Sequence, residues 1–233
     1  MNKEKIKVYL MEKWKGWRSF ILFVVLVFIP IRSSLADWNW VPTGSMNPTI
    51  MEGDLVYVNK LAYDLRFPLT LKRLASWNNP KAGDIIVFLS PDNGKRMVKR
   101  VIGVPGDKIS MLNNRLTVNG KYLEYEKVHA GSIEDLHQPI AIQGEFYEER
   151  VGDVTHLAMD LPNLTDSESF SEIIVPKGQY FVMGDNRDNS RDSRAIGFID
   201  RKRVIGKVNF IIGSLNKLEM YQPRYSRFLR FIE

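Results

Sequence analysis

Residues 96–107 read RMVKRVIGVPGD. The run Met97-Val98-Lys99-Arg100-Val101-Ile102 is apolar and β-branched apart from its two cations, and it ends at Pro105-Gly106, a pair suited to a type II turn because glycine takes positive φ. That pattern predicts a short strand closed by a turn. On a strand, Met97, Lys99 and Val101 share one face, while Val98, Arg100 and Ile102 share the other. Each cation therefore lies between apolar neighbours, and one of them is expected against a core. Burial can lower a lysine's pKa until it serves as a neutral base, which arginine cannot become. Strand spacing does not choose between Lys99 and Arg100. Snorkelling or pairing with acids would satisfy both.

The same kind of run recurs on either side, at 54–58, 84–89, 116–118, 180–183 and 204–212. Turn signals separate these runs: Asn79-Pro80, Gly83-Asp84, Asn93-Gly94 and Asn119-Gly120. Asn119-Gly120, followed by residues 121–123, is a type I′ hairpin signal. Frequent turns between short strands predict a mostly β chain built as an antiparallel sheet or barrel-like body. With 233 residues and no cysteine, disulfides, thiolate zinc sites and cysteine nucleophiles are excluded. Only His129, His137 and His156 could serve a histidine mechanism.

The N-terminus is different. Basic residues crowd positions 1–18, and residues 19–31, SFILFVVLVFIPI, carry no charge. Thirteen helical residues span only about 20 Å, whereas residues 16–36 reach about 31 Å, enough for a hydrocarbon core. Arg18 and Arg32 would snorkel to opposite headgroup layers, and Trp14, Trp17, Trp38 and Trp40 bracket the segment as interface aromatics do. One N-terminal transmembrane helix is the expectation, with the positive-inside bias placing the N-terminus in the cytoplasm. A buried core helix and a cleavable signal peptide ending at Ser34-Leu35-Ala36 are the alternatives.

Charge is also uneven. The chain carries +6, yet residues 127–172 hold ten acidic and two basic residues. The basic remainder suits a surface facing anionic phosphate. The acidic stretch, with Pro139, Pro162 and weak periodicity, reads as an insertion between core strands. It is expected to have some strand content and a mobile loop near 160–172, with solvation as its ordinary role.

Two further clusters stand out. In Pro42-Thr43-Gly44-Ser45-Met46-Asn47-Pro48-Thr49, Gly44 permits a sharp turn beside Ser45 and two prolines stiffen the flanks, so the serine could be presented as a nucleophile. In Gly184-Asp185-Asn186-Arg187-Asp188-Asn189-Ser190-Arg191-Asp192-Ser193-Arg194, dense Asp, Asn, Ser and Arg predict a turn held by side-chain hydrogen bonds. A calcium loop fails there, because Arg187 and Ile196 stand where oxygen ligands are required.

Taken in order, these clusters resemble bacterial type I signal peptidases, the membrane-bound serine/lysine proteases. The resemblance rests on 43–49 with Glu52-Gly53-Asp54, on Gly83-Asp84-Ile85-Ile86-Val87-Phe88, on 99–107 and on 184–194. It implies a mostly β catalytic body of coiled antiparallel sheet. It implies Ser45 as nucleophile, Lys99 as general base and Ser190 as the hydroxyl that orients the lysine. Thr43, with the backbone N–H of Ser45, would form the oxyanion hole. Asp192 and Arg194 would shape the site, and Val41 and Val98 would wall the pockets for substrate side chains. No metal and no cofactor are implied.

Implied substrates are exported preproteins with small residues at −1 and −3. Membrane lipid is a further partner, the apolar stretches Leu65-Arg66-Phe67-Pro68-Leu69 and Trp77 being candidates to dip into it; nucleic acid is not. A dedicated protease for one pilus or conjugation protein, and a non-catalytic membrane-anchored binding domain, remain as alternatives. A self-cleaving repressor would need a helix-turn-helix where the apolar segment lies.

The expected organisation is a cytoplasmic N-terminus (1–15), an anchor (16–36), a first part of the catalytic core (37–126), the acidic insertion (127–172), a second part of the core (173–215) and a basic tail (216–233). The body would lie on the outer, periplasmic face of the cell (inner) membrane. An acid in contact with Lys99 would restore its charge and spoil the base, so none is expected there.

Overall fold

The computed structural model describes residue 14, residues 16–70, 72–133, 136, 144–162 and 168–232. The stretch 1–13, with most of the basic N-terminus, and His137 lie outside the described residues, as does part of the loop expected near 160–172. Gly16–Leu35 forms one apolar helix. It widens into π-helical turns at Val24–Phe28 and Ile31–Leu35, either side of Pro30, whose ring nitrogen cannot donate to the preceding turn. Trp14, Phe20, Leu22, Phe23 and Leu26 are exposed, which sets aside the buried core helix. The helix passes directly into strand Ala36–Trp40. Lys60 Nζ donates to the carbonyls of Arg32 and Ser33 at 2.8 and 3.2 Å, satisfying two of the helix's last acceptors. The same ammonium pairs with Asp37 at 3.1 Å.

The main sheet is antiparallel and curls into a half-barrel. Its order is Ala36–Trp40, Asp54–Asn59, Val204–Asn216, Ile85–Leu89, Arg96–Gly103, Gln179–Met183 and Ile199–Asp200. The register shifts along Val204–Asn216 between 208 and 210 and between 211 and 213, as bulges that bend a long strand do. The strands expected at 54–58, 84–89 and 97–103 form within one residue of those bounds, and that at 204–212 continues to Asn216. Asn119 and Gly120 both take positive φ, 53° and 76°, between Arg115–Val118 and Lys121–Tyr122, as a type I′ turn requires.

Apolar clusters cover both faces of the sheet. Val41, Met46, Ile50, Val56, Val58, Ile85, Val87, Val208 and Ile211 form one, with Val98 packed on it. Tyr63, Ile86, Phe88, Val101, Tyr180 and Val182 form another, with Met97 packed on it.

The acidic stretch is more ordered than its composition suggests. Tyr125–Val128, Glu145–Val151 and Val154–Asp160 make a three-stranded antiparallel sheet. Phe146, Met159 and Leu161 bury its inner face. The basic tail is also built in: Gln222–Pro223 and Arg230–Phe231 both pair with Val204–Asn216.

Candidate active site

The turn that carries Ser45 is fixed from inside the chain. Val41 N donates to Asp54 O at 2.8 Å and Gly53 N to Val41 O at 2.9 Å, closing the ends of the loop. Asn47 N returns to Gly44 O at 3.0 Å and Ile50 N to Met46 O at 2.9 Å. The Asn47–Pro48 peptide is cis. Met46 and Ile50 anchor the loop in the core, leaving Ser45 half-buried at its crest. Beneath it, the buried Asp54 carboxylate accepts from Met51 N at 2.7 Å, Ser214 Oγ at 2.6 Å and Arg227 Nη2 at 2.6 Å. Arg227 also donates to Thr49 O at 3.0 Å.

Lys99 comes from strand Arg96–Gly103, where it pairs with Ile86 of the neighbouring strand. Its residue is 2% exposed, and its Nζ lies 2.5 Å from Ser45 Oγ. Among the described residues no carboxylate lies within ion-pair distance of that amine. Burial pushes the amine down to about 8, against the pull of Asp192 and Asp185 at longer range and with a small push from Arg194. About a tenth of the molecules then carry a neutral amine at pH 7, against about one in 2,500 for an ordinary lysine.

Geometry also resolves the choice that strand spacing left open. Arg100 turns to the Asp185 carboxylate, Nε and Nη2 each at 2.9 Å, and to Gly83 O at 2.9 Å. The arginine is the paired cation, and the lysine is the one left with an alcohol.

The other expected residues sit as follows. Asp192 accepts from Gly184 N at 3.0 Å and from Arg194 Nε at 2.8 Å, and it caps the short helix Ser193–Ile196. Burial raises its carboxyl, but Arg194 outweighs that and holds it below the usual range. Val41 and Val98 meet in the core beside the serine turn. Thr43 is exposed. Ser190 departs from expectation. Its hydroxyl is buried beside the Asp192 carboxylate, and no hydrogen bond from it to Lys99 is formed. It lies instead against Gly184, where an added Cβ would collide with both Ser190 Oγ and Ser45 O. That crowding is why position 184 takes glycine.

Asn186 is a site neighbour that the sequence reading does not single out. Its backbone N–H donates to Ser45 O at 3.3 Å and its Nδ2 to Gly44 O at 3.1 Å. The only signal for it was membership of the 184–194 cluster. His156 is buried and faces Glu149 at 3.3 Å and Asp185 at 3.7 Å. Burial, with Arg100 nearby, lowers its pKa against the pull of Asp185 and Glu149. His129 hydrogen-bonds its own turn, accepting from Gly131 N at 3.1 Å.

A half-buried alcohol in contact with a desolvated amine is a pair that can carry acyl transfer. The family model for signal peptidase, peptidase S26, matches residues 14–213. Signal peptidase I of Buchnera aphidicola from Baizongia pistaciae is 34% identical, over 98% of this chain and 86% of its own length. That of Pseudomonas fluorescens is 34% identical over 97% and 80%, and that of Haemophilus influenzae 31% over 99% and 78%. An exposed apolar N-terminal helix fits a membrane-anchored member of that group. On this match, which takes in the anchor, the serine turn, the lysine strand and the 184–194 loop, the chain belongs to the signal peptidase family, peptidase S26.

Proposed function

We propose that this protein removes signal peptides from exported preproteins, with Ser45 as nucleophile and Lys99 as general base. The observation that carries the reading is the 2.5 Å approach of a buried amine to Ser45 Oγ, with no acid paired to it among the described residues. Neutral Lys99 takes the hydroxyl proton as Oγ bonds to the scissile carbonyl carbon, and the carbonyl π pair moves to oxygen. The Thr43 hydroxyl and the Ser45 backbone N–H stabilise that oxyanion. Its collapse expels the amine of the mature chain, which leaves with the proton from Lys99. Water, deprotonated by the same amine, then cleaves the Ser45 ester. Asp192 and Arg194 hold the loop behind the site.

Val41 and Val98 wall shallow pockets that admit small side chains at −1 and −3. An extended peptide reaches them by pairing with a strand edge. The basic N-terminus lies in the cytoplasm, and the body lies on the outer face of the membrane, with its apolar edge in lipid. Phe67, Leu69 and Trp77 are exposed, which supports that contact over ordinary core packing.

The test is cleavage of a generic preprotein by wild type, Ser45→Ala and Lys99→Ala. Both variants should lose at least about a thousandfold in kcat, the usual scale for such groups. Survival of Lys99→Ala above that level counts against the dyad. A dedicated protease would instead leave the generic preprotein intact and cut one partner.

A further inference from the structure

Composition gives residues 127–172 no task beyond solvation, yet their packing gives them one. Strands Glu145–Val151 and Val154–Asp160 lie directly behind the loop 184–190. Glu149, fully buried, holds the Arg187 guanidinium by both carboxylate oxygens, Nη1 to Oε1 at 2.9 Å and Nη2 to Oε2. Tyr125 OH donates to the same carboxylate at 2.5 Å. Met159 N donates to Asp185 O at 2.8 Å and Leu161 N to the Asp188 carboxylate at 2.6 Å. The insertion also reaches the serine turn, where Thr49 Oγ1 donates to Leu157 O at 3.3 Å.

From its other side, the same loop grips the nucleophile. Asn186 holds the Gly44 and Ser45 carbonyls, and Gly184 abuts the latter. The loop is therefore clamped between the insertion and Ser45. A buried ion pair adds little net stability compared with an apolar contact of the same size; its better attested use is to select one geometry. Here the two-pronged Arg187–Glu149 contact permits a single register of loop against insertion.

We propose that the Glu149–Arg187 pair is a positioning device: it fixes the loop 184–190 on the insertion and, through Asn186, sets Ser45 opposite Lys99. Neither residue touches a reacting atom. The charged groups that bear on Lys99 are Asp192, Asp185 and Arg194, all within or beside this loop. Loosening the loop moves those charges and admits water to the amine. The kinetic arm of the proposal rests on the Ser45/Lys99 reading, while the spectroscopic arm does not.

The experiment uses the full chain in detergent with lysine labelled at Cε by 13C. The Lys99 signal is assigned by its loss in Lys99→Met. In Glu149→Gln the Lys99 titration midpoint should rise by about one unit or more toward that of an exposed lysine. Preprotein cleavage should fall about tenfold or more in kcat with KM within about twofold, in protein whose melting stays above the assay temperature. Arg187→Lys keeps the charge without the fork and should fall between. A folded Glu149→Gln with an unmoved midpoint and wild-type kcat overturns the proposal. If Glu149→Gln does not fold, Asn186→Ala removes the side-chain grip on Gly44 O and Thr49→Val the direct tie of the serine turn to Leu157 O, and both leave the ion pair intact. A raised midpoint in either supports the proposal, and an unmoved one in both refutes it. Should wild type fail to cut any preprotein while these midpoints still shift, the positioning stands and the cleavage reading falls.

Discussion

Arg100, the residue after Lys99, meets Asp185 through two 2.9 Å hydrogen bonds with both side chains buried. The pair separates two adjacent cations by fate: one is compensated by an acid, the other has its pKa lowered by desolvation. Breaking the pair leaves a buried charge without compensation, which costs about 3–5 kcal/mol. Asp185→Ala is therefore expected to lower the melting temperature by roughly 6–20 °C in a chain of this length, read by circular dichroism.

Cleavage should depend on pH through Lys99. The active form is the neutral amine, and its pKa is pushed down to about 8. Below pH 8 the rate should rise close to tenfold per unit, then level off above it. A pH profile of kcat/KM that is flat between 6 and 9 would remove the lysine from the mechanism.

The same amine weakens the fold at neutral pH. Its folded pKa lies below the unfolded value, so the unfolded chain binds more protons between about pH 8 and 10.4, and stability rises with pH across that window. The penalty is fully present below pH 8 and amounts to about 3 kcal/mol. Lys99→Met is expected to be inactive and more stable at pH 7, with a gain that shrinks by pH 10. Denaturant melts at the two pH values measure it.

Histidine should prove dispensable as a base. His156 is buried and faces Glu149 and Asp185. Its replacement by alanine should cost stability but keep cleavage far above that of Ser45→Ala. Equal loss in single-turnover assays would point to a histidine triad.

The tail should matter through Asp54. Arg227 bonds both Asp54 and Thr49 O, so Arg227→Ala leaves a buried carboxylate under the serine turn with only the longer 3.4 Å ion pair to Arg224. A loss of about 3–5 kcal/mol is expected, larger than for the exposed Arg230. Equal effects of the two alanine variants in chemical denaturation would refute that role.

Much of the half-barrel was legible because its strands are short apolar runs between turn residues, as at Ile85–Leu89. Ala36–Trp40 escaped notice because Asp37 points inward to Lys60 and so breaks the expected alternation. The hairpin 145–160 hid for the same reason. Glu149 occupies an inward position that would normally be apolar, and its partner Arg187 lies 38 residues away. Ser45 and Lys99 were visible as motifs, but their meeting was not, since 54 residues separate them. Arg224 and Arg227 looked like a solvated basic tail until their acid, Asp54, was brought beneath them.

Lys60 ties down the final carbonyls of the helix, and the chain enters the sheet at Ala36 with no intervening spacer. A joint braced this way resists a lean of the helix against the half-barrel, and with it any change in how far the serine crest stands from the helix end.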